Sequence, residues 1–311
     1  MSRIERMSPS STNPVTAGPT AATRLRDRLL EYARLMRIDR PIGIWLLLWP
    51  CLWALWISSK GHPDERVFVI FVAGTFVMRA AGCVINDYAD RDIDPHVRRT
   101  AGRPLARGTV APAEALGLFA VLGAIALALL IPLNRTTQLL ALVGGALAVT
   151  YPFLKRVFSL PQAWLGLAFT WSVPMAFTAQ TGELPLVAWV LFVAGVLWTT
   201  AYDTLYAMVD RDDDLIIGVR SSAILFGRAD RLVVALLQVA TLLALTYVGY
   251  LAGLGRWYVA GLVVAAGTAL HQQRLIRERD PAQCFRAFLN NNLFGVAVFG
   301  GILLDYLWAS G

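Results

Sequence analysis

The sequence is poor in the residues that build metal centres and covalent cross-links in soluble proteins. Its 311 residues include three cysteines and three histidines. Cys51, Cys83 and Cys284 lie far apart and the histidines are scattered, so neither set has the spacing of a disulfide framework or of a metal-ligand cluster. No serine or cysteine stands in a recognisable nucleophilic dyad. These absences leave carboxylates and arginines as the candidate chemical groups.

Charged residues are also sparse, whereas apolar residues dominate. Charged side chains make up 16% of the chain, hydrophobic side chains 57%, and the mean hydropathy is +0.56. Apolar windows of roughly 20 residues, long enough to cross a bilayer as helices, recur almost throughout the chain after residue 40. This composition excludes a separate soluble domain and predicts an all-α, polytopic membrane protein. The nine expected spans are residues 41–58, 66–85, 113–133, 136–151, 160–180, 184–206, 231–253, 256–272 and 285–308.

The N-terminal region differs from the rest of the chain. Residues 1–24 are rich in Ser, Thr, Pro and Ala and lack the apolar core of a signal peptide, so we expect a disordered tail. Between residues 25 and 38, apolar residues keep helical spacing with arginines between them, which predicts a helix lying on the membrane surface. The chain is therefore predicted to consist of this tail and a single transmembrane domain at residues 25–311.

The basic residues predict the orientation in the membrane. Arginines and lysines concentrate in the N-terminal segment and in the loops after the second, fourth, sixth and eighth spans, which makes these segments cytoplasmic. An odd number of spans then places the C-terminus on the opposite side. The formal charge of +7 is spread over these loops, so it predicts no nucleic-acid partner, and no obligate protein partner is expected. The expected location is a bacterial inner membrane, with the mitochondrial inner membrane as the alternative.

Two acidic stretches stand out, each at the cytoplasmic end of an apolar segment. Their members are Asn86, Asp90 and Asp94 at i, i+4 and i+8, and Asp203, Asp210 and Asp214 at i, i+7 and i+11. On a continuous helix each set falls on one face. Like charges at this spacing destabilise a helix, and carboxylates at a membrane boundary are costly, so a cation must compensate them. Mg²⁺ suits such oxygens, because it typically takes one or two carboxylates and completes its shell with water and substrate phosphate.

Two such clusters, ringed by arginines, would make a site for a polyanion bridged by Mg²⁺. The surroundings are apolar and rich in Trp and Phe, which suits a long hydrocarbon tail. A diphosphate head with such a tail is an isoprenyl diphosphate. Loss of the diphosphate would generate an allylic carbocation inside a pocket shielded from water. A cation transporter, the alternative from another class, would place its carboxylates at mid-span instead.

At these residues the chain resembles the UbiA family of intramembrane prenyltransferases. The family's motifs are matched as NDxxDxxxD at Asn86, Asp87, Asp90 and Asp94, as DxxxD at Asp210 and Asp214, and as YxxxK at Tyr151 and Lys155. The resemblance extends from about Arg37 to the C-terminus. Stretches such as 201–214 and 223–227 look like the branch of the family that acts on 4-hydroxybenzoate.

The resemblance implies nine spans around a central cavity with a cytoplasmic cap. It also implies Mg²⁺-dependent transfer of a polyprenyl group from a polyprenyl diphosphate to the 3-position of 4-hydroxybenzoate, a membrane step of ubiquinone biosynthesis. Another acceptor (a naphthoate, homogentisate or haem) is the alternative. The implied Mg²⁺ ligands are Asn86, Asp90 and Asp94 for one ion and Asp210 and Asp214 for the other. The residues implied to contact the diphosphate are Tyr151, Lys155 and Arg103.

The carboxylate of an aromatic acceptor needs a cation apart from the diphosphate. Arg156 is the first candidate, because on a helix it points about 100° away from Lys155; the alternative is an ordinary loop residue. The further candidates for substrate contact are Arg79, Arg40 and Asp203. Asp87 and Asp212 point off the acidic faces, so we expect them to tolerate loss of charge better. Asn290, Asn291 and Asn292 interrupt the last span and are predicted to form hydrogen bonds between helices.

Overall fold

The structure, a computed structural model, describes residues 21–97, 100–154 and 158–309, and its regular elements in these ranges are helical. The all-α prediction is thus confirmed. The α-helices are α1 (Ala21–Leu35), α2 (Ile42–Ser58), α3 (Glu65–Ala89), α4 (Pro112–Leu130), α5 (Arg135–Leu154), α6 (Pro161–Thr170), α7 (Ser172–Thr181), α8 (Leu186–Ile217), α9 (Ser222–Phe226), α10 (Asp230–Ala252), α11 (Arg256–Leu275) and α12 (Pro281–Ala309).

Six helices of the described chain are long and apolar enough to cross a membrane. They are α3, α4, α5, α8, the continuous stretch formed by α9 and α10, and α12. The apolar helix α2 is shorter, with 17 residues. Each of the nine segments predicted as spans contains helix, but nine membrane crossings stay a prediction.

The helices run alternately between two ends of the bundle. At one end, Asn134 before α5 donates a hydrogen bond to the carbonyl of Thr178 in α7 at 2.6 Å, and the N–H of Gly255 before α11 donates to Asp305 in α12 at 2.6 Å. At the opposite end, the N–H of Ser222 donates to Gln162 of α6 at 2.9 Å. The ends of α3 and α8, which carry the acidic stretches, lie at this second end, called the site end below.

One predicted span is broken. The segment expected at 160–180 forms two short helices, α6 and α7, that meet at Trp171. Pro174 has no N–H to donate to the carbonyl of Thr170, so the ladder of i to i−4 hydrogen bonds cannot run through this point. Gly182 then ends α7 in the left-handed conformation, with φ +75°.

Aromatic residues fill the centre of the bundle. The rings of Trp53, Trp198 and Phe294 are almost fully buried, with centroids 5.2 Å apart for the two tryptophans and 5.5 Å for Trp198 and Phe294. Between α11 and α12 the packing is closer, because a Cβ on Gly261 would lie 2.9 Å from the Cα of Gly301. Small residues at this contact let the two backbones approach, as is common between membrane helices.

The N-terminal helix begins earlier than predicted. Residues 21–24, assigned to the disordered tail from composition, form the first turn of α1. Residues 1–20 lie outside the described part of the chain. The C-terminal end of α1 packs onto α3 and α4 through Leu35, which is fully buried. The predicted surface helix is therefore attached to the bundle at the site end.

Candidate active site

A cavity of about 650 Å³ occupies the interior of the bundle. Its walls come mainly from α2 to α8 and are largely apolar, with residues such as Phe71, Leu130 and Met175 far from the site end. The predicted site residues that line it are Arg40, Arg79, Asn86, Asp90, Asp94, Arg103, Tyr151, Asp203, Asp210 and Asp214. Lys155 and Arg156 lie outside the described residues. One cavity thus brings together both acidic stretches and an apolar chamber.

The first acidic stretch extends beyond the C-terminal end of α3. Helix α3 stops at Ala89, so the single helical face predicted from the spacing covers Asn86 and Asp90, whose side chains are joined by a 3.3 Å hydrogen bond. Asp94 lies beyond the helix in a 3₁₀ turn. It still reaches the cavity, because its N–H donates to the carbonyl of Asp90 at 2.8 Å and the chain coils once more.

Two arginines compensate the first acidic stretch. Asp87, which is 1% exposed, lies 2.6 Å from Arg37 and 3.1 Å from Arg103, and Arg103 lies 2.7 Å from Asp94. Asp87 points away from the cavity, as its helical position predicts. Its burial between two arginines nevertheless removes the reason to expect tolerance of Asp87→Asn, because a guanidinium would lose its carboxylate.

The surroundings of Asp94 disfavour its charged form. Burial raises its pKa above the ordinary value, Arg103 offsets part of that rise, and the neighbouring Asp90 and Asp87 add to it. Asp90 and Asp94 are each 4% exposed. The negative charge at this end of the cavity is therefore stabilised by any further cation that binds there.

The second acidic stretch lies on a single helix, as predicted. Helix α8 is continuous from Leu186 to Ile217, and Asp203, Asp210 and Asp214 all line the cavity from it. Asp212 is exposed on another side. The spacing of i, i+7 and i+11 was thus a correct guide to orientation.

Tyr151 connects the two stretches. It projects from the last turn of α5 into the cavity, close enough to Asp90, Asp203 and Arg79 to interact with all three electrostatically. The two acidic stretches and the end of α5 therefore converge on one volume.

Comparison with known proteins supplies the family. Residues 47–296 match the UbiA prenyltransferase family. The chain belongs to this family. It is 61% identical over 285 residues to the 4-hydroxybenzoate octaprenyltransferase of Nitrosococcus oceani, covering 92% of this chain and 100% of that protein. It is 58% identical over 282 residues to the enzyme of the same name from Aeromonas salmonicida, covering 91% and 98%.

Solved structures show the same fold. A UbiA homologue from Aeropyrum pernix superposes with a TM-score of 0.74 at 26% identity, covering 85% of this chain and 97% of that one. A UbiA homologue from Archaeoglobus fulgidus, bound to GPP and Mg²⁺, superposes with a TM-score of 0.65 at 19% identity, covering 88% and 99%. The all-helical UbiA bundle is therefore the fold of this chain, a multi-pass membrane protein.

Arg79 lines the UbiA cavity from the face of α3 that meets the first turn of α2. Its guanidinium donates a hydrogen bond to the sulfur of Cys83 at 2.7 Å. It packs directly on Gly43 of α2, where a Cβ would overlap with the Nε and Nη2 atoms of the arginine. Gly43 thus makes room for a positive charge between two membrane helices.

Sequence reasoning missed several polar residues of the UbiA cavity. They are Arg37, Gln162, Arg220 and Ser221. Arg37 lies in the connection before α2 and adopts a left-handed φ of +56°, which no pattern of apolar residues indicates. Gln162 accepts a hydrogen bond from the N–H of Ser222 and so ties α6 to the loop after the second acidic stretch. An arginine or glutamine next to a predicted span is the one signal that points to them.

The donor set of the UbiA cavity fits magnesium. In the described residues no three His, Cys, Asp or Glu side chains form a compact cluster that would hold a metal ion alone. Mg²⁺, however, usually takes one or two carboxylates and completes its octahedral shell with water and substrate phosphates. Among the described residues, the aspartates and asparagines that line the cavity number six and can offer such oxygen ligands: Asn86, Asp90, Asp94, Asp203, Asp210 and Asp214.

Proposed function

We propose that this chain transfers a polyprenyl group from a polyprenyl diphosphate to the 3-position of 4-hydroxybenzoate, in the biosynthesis of ubiquinone. The observation that carries the proposal is a cavity of about 650 Å³ in which both acidic stretches border an apolar chamber. The names of the bacterial relatives that are 58% and 61% identical support the choice of acceptor. Transfer to another acceptor is the alternative that the test below separates.

Magnesium is the proposed cofactor. Asn86, Asp90 and Asp94 would hold one ion, and Asp210 and Asp214 the other. When bound, Mg²⁺ supplies positive charge that neutralises the diphosphate and favours its departure. The aspartates would hold the ions at the site end, where the diphosphate would bind, and the apolar chamber would take the prenyl chain.

Protein groups complete the binding of the diphosphate. Tyr151 lies near both acidic stretches and can donate its hydroxyl to a phosphate oxygen. Arg103 contacts Asp87 and Asp94 through one nitrogen, which leaves other N–H groups of its guanidinium to bind phosphate. Lys155, outside the described residues, is proposed for the same role from its place in the YxxxK motif.

The chamber then protects the reaction from water. Its apolar walls surround the prenyl chain, and the allylic cation that forms as the diphosphate leaves meets the ring of the acceptor instead of solvent. Loss of the ring proton from the attacked carbon restores aromaticity. The acidic stretches or the departing diphosphate are the nearby bases for this proton.

Arg79 is our candidate for the acceptor carboxylate. It projects into the cavity from α3, where that helix meets the first turn of α2, and it lies within electrostatic range of Tyr151. Arg40 also lines the cavity but lies at its surface, 69% exposed and 3.8 Å from Asp39. Arg156 lies outside the described residues and stays an alternative, while Asp203 is proposed to help position the substrates from α8.

The proposed setting is the inner membrane of a bacterium. The bacterial relatives support this location, and the positive-inside rule supports a cytoplasmic N-terminus and a cytoplasmic site end. We retain the division into an N-terminal tail and a single membrane domain, with the boundary moved to about residue 20 because α1 begins at Ala21.

The experiment replaces one aspartate in each stretch. Asp90→Asn and Asp210→Asn keep the shape of the side chain but remove the charge that holds Mg²⁺, so turnover should fall by about 100-fold or more. Asp212→Asn is the matched control, since Asp212 is exposed on the same helix as Asp210. Turnover is measured with labelled polyprenyl diphosphate, Mg²⁺ and a panel of aromatic acceptors.

Two results would contradict the proposal. Near-normal turnover of Asp90→Asn or Asp210→Asn at limiting Mg²⁺ would exclude that aspartate as a metal ligand. Faster transfer by the unmodified protein to a naphthoate, homogentisate or haem than to 4-hydroxybenzoate would exclude the proposed acceptor while leaving the metal site in place.

A further inference from the structure

The first helix is exposed over most of its length. All residues from 22 to 30 are exposed, and Leu25 and Leu29 have 62% and 58% of their surface accessible. Apolar packing against the bundle involves the C-terminal part of α1, around the fully buried Leu35. Two large apolar side chains thus project from a helix that is anchored at one end.

The exposed residues of α1 have the arrangement of an interfacial helix. At 100° per residue, Leu25 and Leu29 share one face, while Arg24 and Arg26 flank it on both sides. Arginines in these positions reach lipid headgroups while the apolar face enters the acyl chains. Residues 22–30 contain three arginines and one carboxylate, Asp27, which lies on the opposite face.

Chain connectivity places α1 at the membrane boundary. Residues 36–41, six in number, separate it from α2, so α1 ends no more than about 25 Å from the first residue of α2. Arg37 in this connection pairs with Asp87 near the end of α3. The C-terminal end of α1 is therefore held at the site end of the bundle.

Helix α1 also contacts the loop between α3 and α4, which contains part of the first acidic stretch. Arg28 donates to the carbonyl of Thr109 at 2.6 Å, and the hydroxyl of Thr109 donates to Glu31 at 2.7 Å. Arg28 also lies 3.1 Å from Glu114 at the start of α4. Both ends of the loop, at α3 and at α4, are thus fastened to α1 or to the residues just after it.

From that connection the contacts lead to a residue of the acidic stretch. Arg37 lies 2.6 Å from Asp87, Asp87 lies 3.1 Å from Arg103, and Arg103 lies 2.7 Å from Asp94. A shift of α1 away from the bundle would therefore loosen the side chains around Asp94.

We propose that α1 binds an anionic lipid surface and thereby holds the first acidic stretch in place. Leu25 and Leu29 enter the acyl chains of the leaflet at the site end, and Arg24 and Arg26 bind the phosphates of anionic headgroups. Each arginine near such a surface strengthens attachment about five-fold. The part of the inference that concerns turnover rests on the proposed function; the part that concerns lipid binding does not.

A spin label tests the lipid contact without any reaction. The native cysteines are at most 2% exposed, so a nitroxide on Leu29→Cys can be attached selectively; Asp27→Cys, on the opposite face, is the matched control. The full chain is reconstituted into phosphatidylcholine vesicles with or without about 30% phosphatidylglycerol. In the anionic vesicles, oxygen should relax the label at position 29 and a water-soluble nickel complex should not, with the reverse at position 27.

Two outcomes of this measurement would overturn the proposal. Access of the nickel complex to position 29 in anionic vesicles would show that the face stays in water. Dipolar broadening between labels at position 29 would show that a second copy of the chain covers the face.

Turnover tests whether lipid binding by α1 affects the first acidic stretch. Wild-type protein should turn over several-fold faster in the anionic vesicles than in neutral ones, and Arg24→Gln/Arg26→Gln should lose most of this ratio. The control Arg66→Gln/Arg135→Gln removes two exposed arginines from the opposite end of the bundle and should keep it. Because the lipid charge changes local Mg²⁺ and acceptor concentrations equally for all three proteins, the ratio isolates α1.

The two hypotheses fail in different ways. An equal ratio in the α1 variant and the control would contradict the coupling. Insertion of the label without turnover in any vesicle would support the lipid site and contradict the proposed activity.

Discussion

At the scale of single residues, the position of Arg79 depends on a glycine in another helix. Its guanidinium fills the space above Gly43, so that any side chain at residue 43 would overlap with it. A half-buried arginine between membrane helices is costly, and it persists where it serves a function. Gly43 therefore supports the proposed binding of the acceptor carboxylate, because it leaves space for the Arg79 guanidinium.

Gly43→Ala should therefore act as an indirect mutation of Arg79. The added methyl group would displace the Arg79 guanidinium from its position against α2. We therefore expect the KM for 4-hydroxybenzoate to rise about ten-fold, with little change in the KM for the polyprenyl diphosphate. Arg79→Met should give the same separation with a larger rise. Steady-state kinetics with each substrate varied in turn measures both constants.

The control for this prediction is Gly117→Ala, the same change in α4 at a position where a Cβ meets nothing within 4 Å. It should leave both KM values unchanged. A parallel rise of both constants in Gly43→Ala would assign Arg79 to the diphosphate site. Arg156 would then be the candidate for the acceptor carboxylate.

The direction of a site side chain could be predicted from the sequence where the backbone is a regular helix. Asp203, Asp210 and Asp214 were oriented correctly because α8 is a continuous helix and side-chain direction follows from spacing. The environment of Asp87 was not predictable, because it depends on Arg37 and Arg103, which come from two separate loops. Spacing fixes which face a residue occupies, whereas its ion-pair partners depend on tertiary structure.

At the scale of elements, a buried aspartate fastens the end of α8 to two neighbouring loops. Asp230, fully buried at the start of α10, lies 2.9 Å from Arg211 and 2.9 Å from Arg279. Arg211 also donates to the carbonyls of Ala223 and Gly227. Since Arg211 directly follows Asp210, this cluster holds the second acidic stretch against the loop after it.

Asp230→Asn should weaken both the fold and the site. Two arginines lose their shared carboxylate, so we expect the free energy of unfolding to fall by about 3 kcal/mol. In the protein that remains folded, the KM for Mg²⁺ should rise several-fold while the KM for the acceptor stays constant. Denaturant unfolding in detergent and Mg²⁺ titrations of turnover measure the two effects.

Glu278→Gln is the control, because this carboxylate directly precedes Arg279 in the sequence but is 83% exposed and pairs with Arg277 at 3.5 Å. It should change neither quantity. A loss of stability in Asp230→Asn with an unchanged KM for Mg²⁺ would mean that the cluster supports the fold without positioning Asp210.

The three asparagines of α12 illustrate what element-level reasoning can reach. Their predicted hydrogen bonds between helices are present: Trp198 donates to Asn291 at 3.0 Å, Trp49 donates to Asn292 at 2.9 Å, and Gln272 donates to Asn290 at 3.1 Å. Polar side chains in a membrane helix need partners, which made the role predictable. The identity of the partners, two tryptophans and a glutamine from other helices, depends on packing that the sequence does not display.

At the scale of the whole molecule, the helices alternate in direction through the bundle. The site end gathers the acidic stretches, Arg37 and the cluster around Asp230, while Asp64, Asn134 and Asp305 lie at the opposite end with their contacts to other helices. Hydropathy located the apolar segments well, but it could not distinguish a continuous helix from the broken pair α6 and α7, because Pro174 changes hydrogen bonding without lowering hydrophobicity.

This alternation leads to a topology that can be measured. Helix α2 starts at the site end and α12 finishes at the opposite end, where Tyr306 lies against Gly61 in the turn between α2 and α3. With the arginine-rich loops inside, a reporter that is active only in the periplasm should be active when fused after Gly311. The same reporter should be silent when inserted in the loop at residues 100–110, which follows the first acidic stretch. Activity at both positions would mean an even number of crossings between them, and the reverse pattern would place the site on the outer face of the membrane.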